Sequence, residues 1–204
     1  MAISEEELKK LVQDLQAGEP VAFRKLIEQY QRPIYHLCLR LMGNETEAED
    51  MAQETFIRAS QAISSFRGDS SLSTWLFRIA TNLCKNRQAY LKRRKQHSHD
   101  HLPVLESKAG DIWQNQAQGV VAYDQPERSI ESKEAQETIV KALNRLPEKQ
   151  KTALTLRDIQ GLSYAEIVEI TGVSLGTVKS RIHQGRLLLI KTYNALLNGE
   201  GEEQ

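Results

Sequence analysis

The 204-residue sequence has no net charge, because 27 Lys and Arg offset 27 Asp and Glu. No global field of either sign draws the whole molecule toward nucleic acid or membrane, so charge has to be read locally. Cysteine is scarce too. Cys38 and Cys84 each sit inside an apolar helical pattern with no CxxC or related spacing, which argues against a disulfide framework and for two reduced core thiols in a cytoplasmic protein. The start, MAISEEELKKLV, is acidic and amphipathic, and no apolar run approaches the length of a membrane span. Neither a signal peptide nor direct membrane insertion is expected. Alternating strand patterns are missing, as are a phosphate-binding glycine loop, a nucleophile elbow and an HExxH helix. An enzyme is therefore not expected, and neither is a cofactor or a metal. His97, His99 and His101 stand at alternate positions, but no cysteine or fourth ligand is near.

What the sequence does contain is a separation of charge. Glu45, Glu47, Glu49, Asp50 and Glu54 fall within ten residues that hold no base, whereas Arg78, Lys85, Arg87, Lys92, Arg93, Arg94 and Lys95 fall between Asp69 and Asp100 with no acid. Two surfaces with different partners are expected, one acidic and one basic.

Periodicity is helical almost throughout. Leu26, Ile27, Tyr30, Ile34, Leu37, Cys38 and Leu41 recur at three- and four-residue steps, with Pro33 expected to kink or restart the helix and Gly43 to close it. Asn44 and Glu47 have capping-box spacing, and Ala52, Phe56, Ala59 and Ile63 continue one face. A turn follows at Arg67–Ser71, where Asp69, Ser71, Ser73 or Thr74 can cap a helix running from about Trp75 to Lys95. Trp75 shares a stripe with Leu76, Ile79 and Leu83, which favours core packing over base stacking. Residues 97–130 lose periodicity and read as a flexible linker of net charge minus three, containing Trp113.

Helical order returns near Ser129, and further helices are expected at Glu148–Gln160, Tyr164–Thr171 and Leu175 to about Leu197. In GLSYAEIVEITGVSLGTVKSRIHQGRLLL, Ser163 and Ser174 are expected caps, Gly172 the turn, and Val173, Val178, Ile182 and Leu189 core positions. That is the layout of a helix-turn-helix. Its second helix bears Thr177, Lys179, Ser180, Arg181, His183, Gln184, Arg186 and Lys191, and no acid occurs between Glu169 and Glu200. Such a helix suits the major groove, where Arg and Lys neutralise phosphates and Gln, Arg, Ser and Thr reach base edges. The fold class expected is all-α, as two small helical domains at about 1–96 and 131–204.

A helix-turn-helix by itself fits a dimeric repressor equally well; the N-terminal half separates the two readings. EAEDMAQETFIRASQAISSFRGDSSLSTWLFRIATNLCKNR resembles region 2 of the extracytoplasmic-function (ECF) sigma factors, and LNRLPEKQKTALTLRDIQGLSYAEIVEITGVSLGTVKSRIHQGRLLL resembles their region 4. The resemblance runs from about residue 20 to 195. It implies a factor that binds bacterial core RNA polymerase, reads the −35 and −10 promoter elements and nucleates melting. By the same resemblance Glu49, Asp50, Gln53, Glu54 and Phe56 meet the polymerase coiled-coil. Phe66, Arg67, Gly68, Asp69, Ser70, Ser71 and Leu72 form a pocket for a flipped base of the −10 element, and Arg78, Asn82, Lys85 and Asn86 contact the same strand. Thr177, Lys179, Ser180, Arg181, His183, Gln184 and Arg186 approach the −35 element, although many family members carry a base where Gln184 stands. Arg87 and Lys92–Lys95 are expected to meet phosphates. The linker would thread the polymerase channels, and restraint would come from an anti-sigma factor.

Overall fold

The computed structural model describes residues 5–97 and 130–198. The expected linker, with His99, His101 and Trp113, lies outside the described residues except at its ends, His97 and Ile130. Four helices make the N-terminal half: α1 (Glu5–Gln16), α2 (Pro20–Met42), α3 (Glu45–Ala62) and α4 (Leu72–His97), with one 3-10 turn at Ile63–Ser65. Four more follow: α5 (Ile130–Asn144), α6 (Glu148–Leu154), α7 (Tyr164–Thr171) and α8 (Leu175–Leu197). No strand occurs among the described residues.

Local chemistry explains most boundaries. The Asn44 side chain accepts from the Glu47 amide at 3.0 Å and starts α3. Ser71 is the residue that caps α4, its hydroxyl accepting from the Thr74 amide at 3.1 Å, so the helix begins three residues before Trp75. Ser163 and Glu166 form a complete capping box on α7, and Gly172 ends that helix at φ 68°, a left-handed conformation that costs glycine no Cβ clash. Ser174 caps α8.

Two elements differ from expectation. α2 runs unbroken through Pro33. Leu26, Ile34, Leu37, Cys38 and Leu41 are buried along it, and this packing outweighs the ladder hydrogen bond that proline removes. The helix expected over 148–160 is α-helical only to Leu154 and widens to a π turn at Thr155–Ile159, where the Gln160 amide reaches back to the Thr155 carbonyl at 3.0 Å. Arg157 braces this turn, donating to the Leu162 carbonyl at 2.7 Å while its guanidinium lies 4.9 Å from the centre of the Tyr164 ring.

Both halves share one apolar core. Leu15, Leu26, Leu37, Trp75 and Leu76 of the first half belong to the same buried cluster as Ala153, Leu156, Ile167, Ile170, Val178 and Ile182 of the second. Trp75 is a core residue, as its stripe implied, with Phe66 5.3 Å away between ring centres. Val173 and Leu189 are only partly buried; Leu189 packs on a separate cluster of Leu143, Leu146 and Leu154. At the seam, Gly43 ends α2 at φ 71°, and a Cβ there would stand 3.1 Å from Asn144 Oδ1. Glycine is what allows α5 to approach so closely. Cys38 and Cys84 are buried neighbours joined by a thiol hydrogen bond, which together with burial pushes Cys38 far above the ordinary thiol range. They are unreactive core thiols.

Candidate nucleic-acid and polymerase interfaces

α3 directs its acids outward because its buried face is made of small residues, Ala48, Ala52, Thr55 and Ala59. Asp50 and Gln53 are exposed; Glu49, Glu54 and Phe56 are half-buried. Burial, then the neighbouring Glu45 and Asp50 carboxylates, raise the Glu49 carboxyl above its ordinary value. Glu54 pairs with Arg58 at 2.6 Å. Glu47 has a different task. Its carboxylate accepts from Arg87 Nε at 2.6 Å and Nη2 at 2.9 Å, clamping α3 to α4. Arg87, expected at a phosphate, is thus paired with Glu47 while staying half-buried, and that bond raises its affinity for its proton. Ile57, 50% exposed, joins the outward face of Asp50 and Gln53. Sequence reasoning passed over it, although it falls off the Ala48–Ala52–Ala59 stripe and so had to point elsewhere.

The loop between α3 and α4 divides in two. Phe66 and Leu72, expected to help form a pocket for a flipped base, turn into the core. Each is apolar beside Trp75, and burial there removes surface that solvent would otherwise have to cover. Arg67, Gly68, Asp69 and Ser71 are exposed and Ser70 half-buried; Arg67 lies 3.4 Å from Asp69. The Ser71 hydroxyl is engaged with the Thr74 amide and the Ser73 and Thr74 hydroxyls. Gln16 of α1 also reaches this loop, donating to the carbonyls of Phe66 at 2.8 Å and Ile63 at 3.4 Å.

On α4, Asn82, Lys85 and Asn86 are exposed on one face. The helix also meets the C-terminal half. Thr74 donates to Glu166 at 3.0 Å, Arg78 stands 3.8 Å from Glu169, and Lys92 donates to Glu148 at 2.8 Å. The Glu166 carboxylate accepts from two donors, Thr74 and the Ser163 amide, and the Ser163 amide, the largest influence, helps keep its carboxyl below the ordinary carboxylate range. Lys151 is buried at the same seam, donating to Asn144 Oδ1 at 2.8 Å. Burial foremost, then the charge of Arg40, lowers it to about 8.

α8 packs by Val178, Ile182 and Gly185, which leaves Gly176, Lys179, Ser180, His183 and Gln184 exposed along one face. Thr177 and Arg181 flank that face, half-buried. Gly185 lets α8 touch α6, where a Cβ would lie 3.3 Å from the Gln150 carbonyl. Arg186, expected to approach the −35 element, is paired within its own half. Its guanidinium forms a fork with Asp158, 2.9 Å from Nε and 2.6 Å from Nη2, and so ties α8 to the π turn. A bidentate pair fixes an arginine head more firmly than a single contact.

Comparison with known proteins follows this division of the chain. Sigma-70 region 2 matches residues 26–96 and Sigma-70 region 4 matches residues 136–189. The ECF RNA polymerase sigma factor SigW of Bacillus subtilis is 40% identical over 185 residues, 90% of this chain and 95% of its own. The chain belongs to the ECF sigma factors. This sigma factor is also 37% identical to the RNA polymerase sigma-H factor of Pseudomonas aeruginosa over 195 residues, which is 96% of the one and 98% of the other. Among solved structures it resembles the sigma factor RpoE in complex with the anti-sigma factor NepR from Bartonella quintana, with TM-score 0.65 and 26% identity over 84% of this chain and 96% of that one. CnrH in complex with the cytosolic domain of CnrY shares the fold, with TM-score 0.62. The function of this sigma factor is promoter-directed initiation of transcription with core RNA polymerase; it is an initiation factor and not an enzyme. Among the described residues, no helix is long and apolar enough to cross a membrane.

Proposed function

We propose that this sigma factor assigns its tasks to separate helices. The face of α8 bearing Thr177, Lys179, Ser180, Arg181, His183 and Gln184 enters the major groove of the −35 element. The rim Arg67, Gly68, Asp69, Ser70 and Ser71, with Phe66 and Leu72 as apolar wall, takes a base flipped from the −10 element, and Arg78, Asn82, Lys85 and Asn86 follow that strand. Glu49, Asp50, Gln53, Glu54 and Phe56, joined by Ile57, face the polymerase. The observation that carries the reading is the exposed face of α8: capped, acid-free, and exposed at Lys179, Ser180 and His183. Arg186 is a brace for this helix.

The downstream site is supported by energetics. Unstacking one base costs a few kcal/mol, and a rim of short polar groups over an apolar wall recovers part of it. Engaging the strand also requires Arg78 and Lys92 to give up Glu169 and Glu148. Core polymerase, by separating the two halves, makes that exchange possible. The domains extend over about 1–96 and 131–204, with 97–130 as linker. The protein works in the cytoplasm, where polymerase and promoter are, and the Bartonella neighbour's anti-sigma complex supports restraint of this chain by an anti-sigma factor as well. The test is transcription from a promoter library by the reconstituted holoenzyme. RNA with defined starts is expected, lost on disruption of either element; tight duplex binding by the free chain without such RNA would favour a conventional regulator.

A further inference from the structure

α1 precedes the span that matches Sigma-70 region 2, which begins at residue 26. It is anchored by buried Leu11 and Leu15, with Leu8 and Val12 packed beside them. Its last residue, Gln16, sends its side-chain amide across 50 positions to the Phe66 carbonyl at 2.8 Å, with the Ile63 carbonyl at 3.4 Å. Phe66 is the last fixed point before the exposed rim. Its amide donates to the Ile63 carbonyl at 3.0 Å, and its ring lies 5.3 Å from Trp75, so amide, carbonyl and ring are each held by a different group. The carbonyl anchor comes from α1, outside the loop and the helix it feeds. Arg67, Gly68 and Asp69 follow without a buried side chain to hold them.

We propose that Gln16 is a positioning residue for the −10-reading loop, setting the point from which Arg67–Ser70 leave the core. The proposal rests on the role assigned above to that loop. Gln16 touches no base. It acts by limiting the conformations open to the rim, so its effect should appear in discrimination between bases more than in folding. The Phe66 carbonyl takes its donor here, while the Ile63 carbonyl already accepts from the Phe66 amide; glutamine supplies that donor, and glutamate or leucine of similar reach does not.

The experiment uses holoenzyme reconstituted with the full chain and single-stranded probes of the nontemplate −10 element, with each base replaced in turn. Gln16→Leu and Gln16→Glu are expected to reduce affinity for the preferred strand about fivefold, the scale of one hydrogen bond, with little change for the strand already carrying the wrong base. The base preference is thereby compressed about fivefold, while core affinity and thermal midpoint stay as in wild type. Gln16→Lys, which keeps a donor, recovers part of the loss. Equal loss on every strand, or loss that follows a fall in midpoint or core affinity, would mean a merely structural role and overturn the proposal. Asp69→Ala with Ser70→Ala separates the two levels. If that double variant keeps the full base preference, the loop reading falls and Gln16 falls with it; if it erases the preference and Gln16→Leu does not, only the Gln16 proposal falls.

Discussion

The two helices proposed to meet promoter DNA are held in opposite ways. α8 presents Lys179, Ser180 and His183 to solvent, and its arginine fork, Arg186 with Asp158, stays within its own half. α4 spends its polar groups on other helices: Thr74, Arg78 and Lys92 meet Glu166, Glu169 and Glu148 across the seam, and Arg87 meets Glu47. The upstream reader is ready in the closed chain. The proposed downstream reader is partly covered at Arg78, which on that proposal ties melting to a rearrangement that duplex binding through α8 does not need.

The largest test of this contrast is the shared core. Leu156→Ala removes a fully buried side chain and should cost about 2–5 kcal/mol. Because Leu156 lies in the same cluster as α4 residues, amide exchange in α4 should accelerate along with that of α6 and α8. Protection in α4 that does not change would show that the halves are independent. Lys151 gives a pH signature of the same seam. In the folded chain it holds its proton only to about 8, against an ordinary value of 10.5. Between those values the folded protein has released a proton that the unfolded chain keeps, so stability should climb with pH across that window, while below it the burial cost is fully present. Lys151→Met should abolish the climb, as read from chemical denaturation at a series of pH values. Next in size, Arg181→Ala should weaken −35 binding by about 1–3 kcal/mol if the side chain meets a base edge, and loss that is the same on every sequence would reassign it to phosphate. The smallest effect belongs to the exposed pairs: Glu148→Gln with Glu169→Gln should raise the free chain's affinity for −10 single strand roughly two- to fivefold and leave α8 binding to duplex unchanged, as measured by anisotropy.

The contrast also explains what could be read in advance. Caps and turns are local, so Asn44, Ser163, Gly172 and Ser174 were legible from spacing, and the Trp75 stripe followed from helical periodicity. The acid-free face of α8 was legible for the same reason. Partners far apart in sequence were not. Nothing near Arg87 points to Glu47, 40 positions away, and nothing near Arg186 points to Asp158, so spacing alone assigns both arginines to DNA. Phe66 and Leu72 were read as loop because their neighbours are polar; Trp75 and the α1 contact draw this stretch inward. The closed seam depends on tertiary contacts such as Gly43 with Asn144, which no periodicity encodes.

Permanganate footprinting of promoter complexes made by wild-type, Asn82→Ala and Arg181→Ala holoenzymes tests the separation of tasks most directly. Asn82→Ala is expected to occupy the promoter and bind core enzyme normally while its −10 thymines stay unreactive, whereas Arg181→Ala loses occupancy and reactivity together. Normal reactivity with Asn82→Ala, or its failure to bind core polymerase, would contradict the account.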